Sequence, residues 1–152
     1  MKKALSVLAL IVFLLGFAFA EQGKQCSNRT NTGKYVSVCD GFLTPGPGAP
    51  LVPAKLLAIA IVDRYGNITG SGTASIGGNI VQQTVQGTET VNPDCTGSIT
   101  YQTWINGQPG PPLSFTFVIS QGGDFANGLS TDSGSVFSCT LTRTKDGTKA
   151  DE

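Results

Sequence analysis

Between Gly33 and Thr144 the chain is cut so often by Gly, Pro and Asn that no helix-length pattern survives; its apolar residues recur in short runs instead. Leu113–Ser120 is the cleanest of these, with Leu113, Phe115, Phe117 and Ile119 alternating against Ser and Thr. A period of two buries one face and wets the other, which is the mark of a half-buried strand. The same reading predicts strands over Lys34–Phe42, Ala54–Asp63, Ile68–Ile76, Asn79–Gly87, Thr96–Ile105, Leu113–Ser120, Phe125–Leu129 and Ser135–Thr144. Tyr65-Gly66-Asn67, Gly77-Gly78 and Asn92-Pro93-Asp94 supply turns between them. Leu43–Pro53 and Asn106–Pro112 are rich in Pro and Gly and read as loops, because proline removes ladder donors. The expected fold is all-β, an eight-stranded antiparallel up-and-down barrel, since closure removes exposed edges. A two-sheet β-sandwich is the alternative, but it needs crossing connections for which most of these loops are too short.

The first twenty residues stand apart. Lys2 and Lys3 precede an apolar run, Ala4 to Phe19, that ends in Ala18-Phe19-Ala20, the succession of a cleaved signal peptide. The run is too short and wrongly flanked for a retained membrane helix. Gly23-Lys24-Gln25 before Cys26 does not fit a lipid-attachment site. The expected organisation is a signal peptide over 1–20, a polar N-terminal arm over 21–32, a β-barrel domain over 33–144 and a charged tail over 145–152. The expected location is secreted or periplasmic, with no integral membrane segment after signal removal.

Charge and residue types narrow the function classes. Ten basic groups balance ten acidic ones, which excludes a strongly basic nucleic-acid binder. With no His in the chain, no histidine can serve as base, nucleophile or metal ligand. No CxxC pair or acidic cluster supplies metal ligands, so neither a metal nor a cofactor is expected. Nucleophile-elbow, zincin, P-loop and dinucleotide fingerprints are missing as well. Asn28-Arg29-Thr30 and Asn67-Ile68-Thr69 are sequons, a match that is cheap by itself.

Export makes the four cysteines a plausible pair of disulfides. In a closed meander the first and last strands are antiparallel neighbours. If Cys39 faces Cys139, then Ser37 lies opposite Leu141 and Tyr35 opposite Arg143, all on one face. Cys26 precedes the first strand and Cys95 sits in the turn between the fourth and fifth, so both fall at the end where the first strand begins. The meander therefore permits Cys26–Cys95 with Cys39–Cys139. Each would close a loop of ~70 to ~100 residues, worth about 4–5 kcal/mol in the chain-entropy model. The alternative is that two cysteines stay free.

Gly33-Lys34-Tyr35, Thr131-Asp132 and Arg143 resemble the scattered marks of calycin barrels, the lipocalin-like group. There a G-x-W opens the first strand and an arginine packs across the aromatic ring at the closed end; here Tyr35 stands in place of the tryptophan. Gly70-Ser71-Gly72-Thr73-Ala74-Ser75 and Val91-Asn92-Pro93-Asp94-Cys95-Thr96-Gly97 look similar to small exported bacterial proteins with lipocalin-like or allene-oxide-cyclase-like barrels. The resemblance spans Gly33 to Thr144 and implies fold more than function, because one barrel hosts carriers, inhibitors and cyclases.

The long loops gather at the end opposite the start of strand one, where a barrel mouth would bind a ligand. Phe42, Leu43, Trp104, Leu113 and Phe115 are the candidate wall residues, or else they fill the interior. Asp40, Lys55 and Asp132 fall near the same mouth and read as surface charge. The expected function is a non-catalytic exported barrel that binds a small apolar molecule or a surface partner, with no catalytic residues assigned. A barrel cyclase or isomerase and a structural subunit of an extracellular assembly are the alternatives. Absence of His and of paired buried carboxylates favours the binder.

Overall fold

The computed structural model describes residues 25–44, 48–120 and 122–145. The expected signal peptide and most of the charged tail lie outside the described residues, as do 21–24 of the arm. Eight strands run in chain order: β1 (Gly33–Leu43), β2 (Val52–Val62), β3 (Asn67–Ile76), β4 (Asn79–Val91), β5 (Thr96–Ile105), β6 (Gln108–Ile119), β7 (Phe125–Ser130) and β8 (Val136–Arg143). Each pairs antiparallel with the next, and β8 pairs with β1, so the sheet closes into an up-and-down barrel. The sandwich alternative is excluded by that closure. Before β1, a single 3₁₀ turn (Asn28–Asn31) crosses the base, the end at which β1 begins.

Local chemistry explains the connections. Gly77-Gly78 joins β3 to β4 and Asn106-Gly107 joins β5 to β6, each as a two-residue turn. Asn106 and Gly107 both adopt positive φ, 50° and 80°, as a type I′ hairpin demands, and Asn and Gly tolerate it best. At the base Asp63 Oδ1 accepts from the backbone amides of Tyr65 and Asn67, which folds the β2–β3 turn.

One loop expectation is corrected. Asn106–Pro112 is not a loop: only its first two residues turn, and Gln108–Pro112 belongs to β6. The prolines are accommodated in two ways. Pairing with β5 slips between Gln102 and Trp104, and there the side chains of Gln102 and Thr103 donate to the carbonyls of Gly110 (2.6 Å) and Pro111 (2.7 Å). On the other side β7 ends at Ser130, opposite Phe115, which leaves Gln108–Leu113 without a ladder to fill. Strands β2 and β4 also run further than expected, to Val52 and Val91 respectively.

Both disulfides form, Cys26–Cys95 and Cys39–Cys139, and no described cysteine is free. Cys39 stands directly opposite Cys139 across the β1–β8 seam, with Ser37 opposite Leu141 and Tyr35 opposite Arg143. Two disulfides suit an extracellular or periplasmic protein. Among the described residues no helix is long and apolar enough to cross a membrane.

Candidate functional site in the barrel interior

The pleat decides what each strand contributes inside. On β1 the odd residues Tyr35, Ser37 and Cys39 are buried while Lys34, Val38 and Asp40 are exposed. On β4 the inward set is again odd, Gln83 and Glu89 being buried between exposed neighbours. Toward the end opposite the base, Leu43, Ala54, Ile76, Leu113, Phe115 and Phe137 pack around Cys39–Cys139. Tyr101 stacks on Phe115 with ring centroids 5.7 Å apart, and Phe137 meets Phe115 edge-on at 6.5 Å.

Below this layer lies a cavity of about 70 Å³. By the measure in which one water needs ~10–15 Å³, it has room for several waters or one small molecule. Leu56, Ala58, Ala60, Val85, Ile99, Phe115, Phe117 and Leu141 give it an apolar wall. Ser37, Ser71, Gln83, Tyr101, Asn31 and Glu89 are its polar members, with Asn31 and Glu89 at the base.

Glu89 is the feature that the sequence reading missed. Only 4% of it is exposed, and its Oε2 accepts from the Asn31 amide at 2.8 Å. Its Oε1 is buried without a partner; the other such side-chain atom among the described residues is Ser135 Oγ, in the β7–β8 connection. Burial drives the Glu89 pKa up to about 7 from an ordinary 4.5; the Asn31 bond opposes the rise and the charge of Asp63 adds to it. The signal was present in the chain. Continuing the odd parity of Val81, Gln83 and Val85 past Gly87 puts Glu89 inside, but ending the strand at Gly87 hides it. Gly87 is no terminator, since a Cβ there would run into the backbone and side chain of Tyr101 on β5.

Behind Glu89, Tyr35 and Arg143 close the base. Tyr35 is fully buried, and its hydroxyl lies 2.8 Å from the Gly123 carbonyl and 3.0 Å from that of Asn31. Arg143 donates to that hydroxyl (2.9 Å) and to the Thr30 carbonyl (2.7 Å), and pairs with Asp124 at 3.6 Å. Its guanidinium carbon sits 5.5 Å from the Tyr35 ring centroid. Burial raises the Tyr35 pKa, against the pull of the Arg143 bond and charge. The base is thus a plug: Cys26–Cys95 anchors the arm, Asn28 Oδ1 accepts from Val91 N, and Asn31 reaches Glu89.

The candidate wall residues divide by parity. Phe115 lines the cavity, while Leu43 and Leu113 belong to the layer above it. Phe42 and Trp104 are corrected: both fall on the outward parity of their strands. Phe42 is 48% exposed, and Trp104 borders an outer groove with Thr69, Thr84 and Gln86. Proximity to a loop does not turn a side chain inward; the pleat does. Asp40 and Lys55 oppose each other on the outer face, both exposed. Asp132 accepts from Ser114 N at 2.9 Å and so ties the β7–β8 connection to β6. Among the described residues no three His, Cys, Asp or Glu side chains gather as a metal site. No protein-family model, curated protein or solved structure matches the chain.

Proposed function

We propose that the protein is an exported, non-catalytic barrel that holds one small, largely apolar molecule inside. The apolar cavity beneath the Phe115–Phe137 layer carries this reading. A barrel with its interior filled by side chains would leave no such space. Support for export comes from the basic-apolar-Ala-Phe-Ala succession at Lys2–Ala20 and from the two disulfides. The Tyr35–Arg143 pair at the closed end supports the likeness to calycin barrels. About 70 Å³ suits a guest of a few heavy atoms and not a long fatty acid.

Glu89 favours a second reading, a barrel isomerase or cyclase, because a buried carboxyl titrating near neutrality suits general acid–base work. Mass spectrometry of the natively purified, oxidised protein separates the two. A stoichiometric small molecule released unchanged on denaturation supports the binder. Conversion of that molecule to an isomer by fresh protein supports the enzyme. Protein that carries nothing and shows no interior chemical-shift change across a panel of small apolar compounds would retire both.

A further inference from the structure

We propose that the cavity is an amine site, in which Glu89 Oε1 receives an ammonium head and the apolar wall receives a short hydrocarbon body. The inference rests on the ligand-binding reading above and names the chemistry of its guest. Among the residues that line the cavity Glu89 is the one carboxyl, and none is a Lys or Arg. Arg143, the cation that meets Tyr35 at the base, is spent on Thr30, Tyr35 and Asp124. The Asn31 amide occupies Oε2, which leaves Oε1 as the carboxyl oxygen without a protein partner. An ionised Oε1 without a partner is costly in apolar surroundings, and a neutral hydrocarbon does nothing to relieve it. An ammonium does, through a charge-assisted hydrogen bond that also cancels the charge.

The groups around Glu89 leave it free to respond. β1 contributes Tyr35, whose hydroxyl is held by Gly123, Asn31 and Arg143, and β8 contributes Arg143 itself. The β2–β3 turn contributes Asp63, an exposed carboxylate. β5 places Ile99 opposite Glu89, and Phe117 of β6 also lines the cavity. Ammonium binding therefore requires the Glu89 proton to leave, and amine affinity is linked to pH through this one group.

The test uses the oxidised mature protein, titrated with n-butylammonium chloride and separately with 1-butanol, followed by amide chemical shifts at pH 5.5 and pH 8. The expected result is that butylammonium binds about 30-fold more tightly at pH 8, which is the change in ionised fraction of a group titrating near 7. Butanol affinity should stay within about 2-fold, as for a guest whose binding takes up no proton. Glu89→Gln, which keeps an acceptor for Asn31, should abolish the amine preference and its pH dependence while butanol still binds. Equal affinity of both probes at both pH values overturns the amine assignment and leaves the ligand cavity standing, and so does an unchanged amine affinity in Glu89→Gln. Interior shifts with neither probe overturn the amine assignment and the cavity reading together. The wild-type pH comparison needs no variant, so a misfolded Glu89→Gln does not rescue the proposal.

Discussion

At the scale of single residues, Glu89 and Tyr35 do opposite things with burial. Glu89 is held with one oxygen unmatched, so its folded pKa of about 7 lies above the ordinary 4.5. Between those values the folded state binds more protons than the unfolded one, and stability falls as pH rises through the window. The group's contribution is fully favourable below pH 4.5 and is lost by pH 8, a difference of about 3 kcal/mol. Urea unfolding at pH 5 and pH 8 should show that decline in the wild type and a nearly flat response in Glu89→Gln. A wild-type stability that climbs from pH 5 to pH 8 would contradict the assignment. Tyr35 is the satisfied counterpart, its hydroxyl shared by Gly123, Asn31 and Arg143. Tyr35→Phe leaves those groups buried and short of a partner, at a cost of about 1–3 kcal/mol. Equilibrium denaturation measures it, and a loss below about 0.5 kcal/mol would mean that water replaces the hydroxyl freely.

At the scale of elements, the arm before β1 matters more than its four-residue 3₁₀ turn suggests. Cys26–Cys95 spans 69 residues of chain and fixes the plug that carries Asn28 and Asn31. Replacing both cysteines by Ala should cost about 4 kcal/mol in the chain-entropy model. It should also loosen the Asn31–Glu89 bond and lower the Glu89 pKa as water reaches the carboxyl, which a carboxyl-carbon NMR titration would report. An unshifted titration would show that the base stays closed without the disulfide. Much of this architecture is legible in the chain. Eight punctuated runs favour closure over a sandwich, and closure permits Cys39–Cys139 together with Cys26–Cys95. What escapes is written in parity. Counting by twos from Cys39 leaves Phe42 outside, and counting from Val85 through Gly87 brings Glu89 inside, yet loop proximity and a glycine obscure both. The Gln108–Pro112 segment escapes for another reason: proline forbids a ladder only where a partner strand asks for the missing donor, and β7 is too short to ask.

At the scale of the whole molecule, the barrel is stapled at both ends and left incompletely packed between them. Cys39–Cys139 and the aromatic layer hold the upper half, while the plugged base holds the lower. Protein interiors ordinarily reach crystal-like density, so an interior void forgoes contacts that better-filled sequences would have. Filling it separates a ligand site from a packing fault. Ala60 lies between Tyr35 on β1 and Gly70 on β3, and Val85 reaches the cavity from β4. Ala60→Val and Val85→Ile each add one or two carbons to that space, for a gain of about 1 kcal/mol where the added group fits without strain. Both variants should unfold at higher urea while binding butanol at least tenfold more weakly, because the guest and the new methyl groups compete for one volume. Higher stability with butanol affinity unchanged would place the binding elsewhere, at the upper mouth or in the outer groove beside Trp104, and the interior would then be a void without a role.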